Sequence, residues 1–124
     1  MNHRKEPFRY VFYQPLPCLL ELKELNGTPV NSKPAEAELL NISKSGCKIT
    51  SGLNLHADTN QVTVVLHLTL TETPIHCPAE IRWQRSDSSL RFEYGLRLNL
   101  PPAEKESVLV GLRTLAAERK IVVE

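Results

Sequence analysis

Two short stretches hold the residue types that could recognise a ligand. The first is RKEPFR, residues 4–9, where Arg4, Lys5 and Arg9 lead into the aromatic run YVFY. Pro7 biases Glu6 away from helix, so the stretch is extended or turned. Lys5 and Arg9, four apart, then fall on one side of the chain, with the Arg4 guanidinium beside them. A planar guanidinium makes paired hydrogen bonds to phosphate oxygens or to the O6/N7 edge of guanine. The second is NISKSG, residues 41–46, set between two apolar runs. Asn41 can close an Asx turn or offer its amide to a ligand, and Ser43 can cap the turn or bond an anion. Gly46 allows a positive φ or a close backbone approach. Each stretch also has a plain structural reading: a solvated terminus for the first, an ordinary hairpin turn for the second. Residue types alone leave both readings open.

Catalysis has little to start from. There is no Gly-rich phosphate loop of Walker or Rossmann type and no GxSxG elbow. The carboxylate pairs Glu36/Glu38 and Glu104/Glu106 fall on an exposed strand face and at a helix start, where solvated charge accounts for them. Cys18, Cys47 and Cys77 are odd in number and widely spaced, which argues against a disulfide framework or a zinc site. Cys47 and Cys77 lie in apolar runs and read as small buried hydrophobes. His3, His56, His67 and His76 are scattered and match no ligand spacing. No enzyme, metal or cofactor is expected.

A chain of 124 residues makes one domain with a real core. Its formal net charge of +1 exerts no global pull toward nucleic acid or an acidic membrane, so any anion site is local. No apolar run approaches the roughly 18 residues that span a bilayer. The opening MNHRKEPFRY carries charge but neither the apolar core nor the cleavage site of a secretory leader. A cytoplasmic location is expected.

The elements that must position these residues are mostly strands. In QVTVVLHLTLTE, Val62, Val64, Leu66, Leu68 and Leu70 share one face. Ile75, Cys77, Ala79, Ile81 and Trp83 share a face of the next run, where Pro78 predicts an edge position or a bulge. Leu90, Phe92, Tyr94, Leu96, Leu98 and Leu100 do so in the third. The short polar connectors TETP and RSDSS make these an antiparallel meander. Upstream, CLLELKEL predicts a strand stopped by the turn Asn26–Gly27, and AEAELLNI and SGCKITS predict two shorter strands around NISKSG. About six strands with this punctuation favour a small barrel. The fold class is mainly β: a six-stranded antiparallel Greek-key or split β-barrel with a C-terminal α-helix. That helix follows Pro101–Pro102, over about 102–120, with Val108, Leu109, Leu112, Leu115 and Ala116 on one face. Arg119 and Lys120 suit its C-terminal end. The apolar face covers an open end or side of the barrel, and a homodimer contact would use the same face. Residues 1–12 read as a mobile arm and 13–124 as the barrel with its helix.

Together the two stretches resemble the signature of the PilZ domain, the bacterial receptor module for cyclic di-GMP. The family pattern is RxxxR, often with a further Arg directly before it, ahead of the first barrel strand. It continues with [DN]x[SA]xxG at a strand–strand turn. The second motif is intact as Asn41-Ile42-Ser43-Lys44-Ser45-Gly46, and the late YGLRL with a helix after it is similar to the family's closing strands. The resemblance covers nearly the whole chain. It implies that Arg4, Lys5 and Arg9 wrap the ligand and contact phosphates and guanine edges. It implies further that Asn41 and Ser43 contact a guanine from the barrel surface, while Gly46 shapes the turn. Lys5 stands where the pattern has Arg; it keeps the charge and loses the flat fork. One charge-assisted pair is worth about 1.5–3 kcal/mol, or one to two decades in affinity.

The function so implied is regulatory: the arm closes over a dianionic dinucleotide on the turn and creates a surface for a protein partner. The family also implies an alternative, a member with eroded motifs that has lost the nucleotide and serves as a protein-interaction adaptor, with Lys5 as its support. A third reading, a small barrel for single-stranded nucleic acid, needs a basic groove with stacking aromatics. The charge of +1, and Trp83 and Tyr94 on apolar strand faces, argue against it.

Overall fold

The computed structural model describes residues 9–88 and 90–123. Its strands are β1 (Arg9–Leu25), β2 (Thr28–Pro29), β3 (Ala35–Ser43), β4 (Gly46–Ser51), β5 (Val62–Thr69), β6 (Pro74–Ser88), β7 (Arg91–Leu98) and β8 (Ile121–Val123). One helix, α1 (Pro102–Ala117), lies between β7 and β8. The neighbour order β1-β3-β4-β7-β6-β5 returns to β1, so six antiparallel strands close a barrel with Greek-key connectivity. Closure needs the period-2 pattern to hold on every strand, and β5 shows it plainly: Val62, Val64, Leu66 and Leu68 are buried while Thr63, Val65 and His67 are half-exposed.

β1 extends well upstream of the strand expected at CLLELKEL. Pro15 and Pro17 interrupt the sequence pattern and remove two backbone donors, and the register toward β3 shifts between Val11 and Leu16. On either side of that irregularity β1 has different neighbours. Tyr10, Val11 and Phe12 pair with β8, whereas Leu19–Leu25 pair with β5. Arg9 and the three residues after it, assigned from sequence to the arm, are therefore strand residues. The expected turn after β1 is present, with Asn26 and Gly27 both at positive φ, as a two-residue hairpin loop requires.

Pro78 pairs with Val65 of β5, and its carbonyl accepts the N–H of Asn99 at 2.8 Å, just past the end of β7. Its missing donor thus faces the point where the β7 ladder stops. The irregularity on β6 lies farther on, between Ile81 and Trp83. That extra step turns Trp83 outward, against the expectation that it continues the face of Ala79 and Ile81; the indole is 41% exposed.

The helix packs Val108, Leu112 and Leu115 onto the barrel. Gly111 permits the approach, since a Cβ there would stand 2.9 Å from the Cβ of Leu70. The helix ends before the basic pair expected in its last turn. Arg119 adopts φ 61° and the Lys120 N–H returns to the Leu115 carbonyl, so the chain reverses straight into β8. Tyr94, fully buried, ties the crossover loop between β4 and β5 to the core. Its hydroxyl donates to the Leu53 carbonyl and accepts from the Leu55 N–H. Among the described residues, no helix is long and apolar enough to cross a membrane.

All three cysteines are buried in the barrel. Burial, with Glu38 near Cys18 and Glu104 near Cys77, pushes those two thiols up to about 12, and burial holds Cys47 well above its ordinary value. Thiolate is the reactive form. The native protein at pH 8 is therefore expected to leave Ellman's reagent uncoloured over minutes, and to react at all three thiols once unfolded in guanidinium. Rapid labelling of the native protein at any cysteine would contradict this packing.

Candidate functional site

The turn between β3 and β4 is held from within. Ser43 Oγ accepts the Gly46 N–H at 3.3 Å and donates to the Gly46 carbonyl at the same distance. The turn is also pinned to the next strand, because the Leu98 N–H reaches the Ser45 carbonyl at 2.8 Å. Of the two roles open to Gly46, close approach is the one in use. A Cβ there would lie 3.0 Å from the Leu96 carbonyl oxygen, tighter than that backbone contact tolerates without a shift.

Asn41 and Ser43 belong to the end of β3, where the register shift between Leu39 and Asn41 lets Ile42 fill the core. Both are largely buried polar residues, Asn41 at 8% and Ser43 at 2% exposed. The register sets Arg9, at the start of β1, directly opposite Ser43. From there Arg9 Nη1 donates to Asn41 Oδ1 over a long 3.5 Å. Its Nε is buried without an acceptor among the described residues. A buried donor of this kind costs about 1–3 kcal/mol, and a charged group more. Arg9, Asn41, Ser43 and Gly46 are thus gathered at one corner of the barrel surface. Arg4 and Lys5 lie outside the described residues.

The surface continues across the sheet from Asn41. Lys48 is its direct partner on β4, Gly95 is the partner of Lys48 on β7, and Trp83 on β6 is the partner of Gly95. The indole lies so close over Gly95 that a Cβ there would collide with its Nε1. The Arg85 guanidinium stands 5.2 Å from the centre of the Trp83 rings. Arg85 is held in turn by Glu93, a carboxylate only 8% exposed, through Nε–H to Oε1 at 2.8 Å and a second contact from Nη2. Trp83 is the surface residue that strict alternation hides. The signal for it is Gly95, since a glycine inside a strand marks a place where something approaches the backbone closely. An open cavity of about 640 Å³ lies away from this strip, lined among others by Cys18, Glu38, His67 and Arg91, and none of the described motif residues borders it.

A family model described as the PilZ domain matches residues 2–113. Among solved structures, the chain is similar to the Bacillus subtilis inhibitor of motility, MotI/DgrA, with a TM-score of 0.65 and 12% identity. The match covers 96% of this chain and 53% of that one, so the chain spans about half of that protein's length, and at such identity the likeness concerns the fold. No curated protein matches the chain.

Proposed function

The chain belongs to the PilZ domain family, whose members are regulatory domains of the cyclic di-GMP-receptor type, and on that premise we propose that it is itself a cyclic di-GMP receptor. The observation that carries the reading is Arg9: a guanidinium bound to the motif asparagine, with a buried Nε–H that has no acceptor among the described residues. A phosphate or guanine oxygen reaching that donor would gain a charge-assisted bond in a partly water-excluded place. Asn41, accepting from Arg9, has amide N–H groups left for a guanine edge. Ser43 is committed to the turn, so its contribution is to hold Asn41 and the backbone in position.

Trp83, on β6, lays a flat apolar surface over Gly95 of β7, two strands from β3 and about 10 Å away at the usual strand spacing. That span suits an extended dinucleotide better than a single base. Arg4 and Lys5 precede Arg9 by five and four positions, close enough in sequence to fold over a ligand whose floor is the barrel wall. Such a clamp does not need a deep pit. Its closure would bury two phosphate charges and present a changed surface for a protein partner to read. The adaptor reading, in which the nucleotide has been lost, is favoured by Lys5 in place of arginine.

Calorimetric titration separates the two readings. The receptor reading expects saturable heat with cyclic di-GMP and at least tenfold weaker binding of cyclic di-AMP, whose adenine lacks the O6 acceptor. A folded chain that gives no saturation with cyclic di-GMP would leave the adaptor reading standing.

A further inference from the structure

The site as drawn from the motifs has one described cation within bonding distance of Asn41, and the register places a second beside it. Lys48 is directly opposite Asn41 on β4, and residues paired in this way bring their Cβ atoms to about 5 Å on one face of a sheet. Its side chain is not firmly engaged. Lys48 Nζ stands 4.0 Å from Glu93 Oε1, beyond hydrogen-bonding distance. That same oxygen already accepts from Arg85 at 2.8 Å. One buried carboxylate thus faces two cations and is satisfied by one of them, leaving the Lys48 ammonium in surplus on a flexible four-carbon stem. Two other cations lie at the turn, Lys44 within it and Arg97 opposite Gly46 on β7, but the register sets Lys48 and neither of these opposite Asn41.

We propose that Lys48 is a phosphate-contacting residue of the cyclic dinucleotide site, parked beside Glu93 in the free protein and drawn across to an anionic oxygen of the ligand seated at Asn41. The inference rests on the receptor reading above and adds a residue that neither motif contains. It also gives Glu93 a part: the carboxylate keeps the spare ammonium close to the strip without bonding it tightly. With Arg9 on one side of Asn41 and Lys48 on the other, the two phosphate charges of the ligand would each meet a cation fixed to the barrel.

The full chain and its Lys48→Gln variant, titrated with cyclic di-GMP at about 50 mM and about 300 mM salt, test this. Lys48→Gln is expected to bind about tenfold more weakly at the lower salt, with the gap narrowing at the higher, because a point-charge contact is screened. Lys48→Arg is expected to stay within about threefold of the unsubstituted chain, and Lys105→Gln, on an exposed turn of α1, to be unchanged. Equal affinity of Lys48→Gln and the unsubstituted chain at both salts overturns the inference. So does a loss that is the same at both salts and accompanied by early melting, the mark of a merely structural lysine. An unsubstituted chain that does not bind cyclic di-GMP overturns the receptor reading itself, and this inference falls with it.

Discussion

Arg9→Ala is expected to weaken cyclic di-GMP binding by at least a hundredfold while leaving the melting temperature unchanged or slightly raised. The two halves of that result have one cause. Among the described residues of the free protein, the Arg9 side chain makes a single long bond, to Asn41, and buries its Nε–H without an acceptor. Removing it forfeits little and relieves the cost of desolvating an unmatched charged donor. In the complex the same group would make at least two charge-assisted bonds, together about 3–6 kcal/mol, which is two to four decades in affinity. Destabilised in the free state and satisfied in the bound one is the signature of a residue kept for function. Arg9→Lys should fall between, because it restores charge but has no donor at the Nε position. Calorimetry and a thermal melt on the same preparation decide the matter. A structural Arg9 would show the reverse, a lowered melting temperature with affinity intact.

Legibility in the sequence followed how local the signal was. The alternation of Val62, Val64, Leu66 and Leu68 is a property of adjacent residues, and β5 sits where that pattern puts it. The NxSxxG turn is equally local, and β3 and β4 meet at it. Trp83 was misplaced because an irregularity of one residue before it reverses every later side chain, and its neighbours in sequence carry no mark of the bulge. The first half of β1 was hidden for a related reason. Pro15 and Pro17 read as breakers. Pro15 falls where the pairing with β3 lapses, and Pro17, opposite Glu38, falls where neither β5 nor β8 pairs with the other edge, so β1 accommodates both missing donors, while β8 supports Tyr10–Phe12. That support comes from the far end of the chain, and nothing near Tyr10 announces it. The Lys48–Glu93–Arg85 grouping joins three strands, so only the register assembles it. Charge near the turn was visible; which charges face Asn41 was not.

The barrel that holds this register can be tested where it closes. Leu66→Ala is expected to destabilise the protein by about 3 kcal/mol, lowering the melting temperature by roughly 10 °C, whereas Val65→Ala should cost under about 1 kcal/mol. Leu66 is fully buried and paired with Leu20 of β1 and Cys77 of β6, both almost inaccessible themselves. Its truncation leaves a cavity that two hydrogen-bonded neighbours cannot easily collapse to fill. Val65, one residue earlier, stands on the outer face opposite Glu21 and Pro78, where alanine loses part of a strand preference and little burial. The contrast is more informative than either value, since the changes remove three and two carbons from adjacent residues of one strand and differ chiefly in which side of the wall they face. Similar losses at the two positions would mean that β5 does not close a barrel onto β1. The large loss at Leu66 should also spare ligand affinity at a temperature where the variant remains folded. β5 meets β1 at Leu19–Leu25, while Arg9 and the NxSxxG turn lie at the other end of that strand, beyond the prolines. Stability and recognition then separate along the length of β1, one end sealing the core and the other presenting the guanidinium.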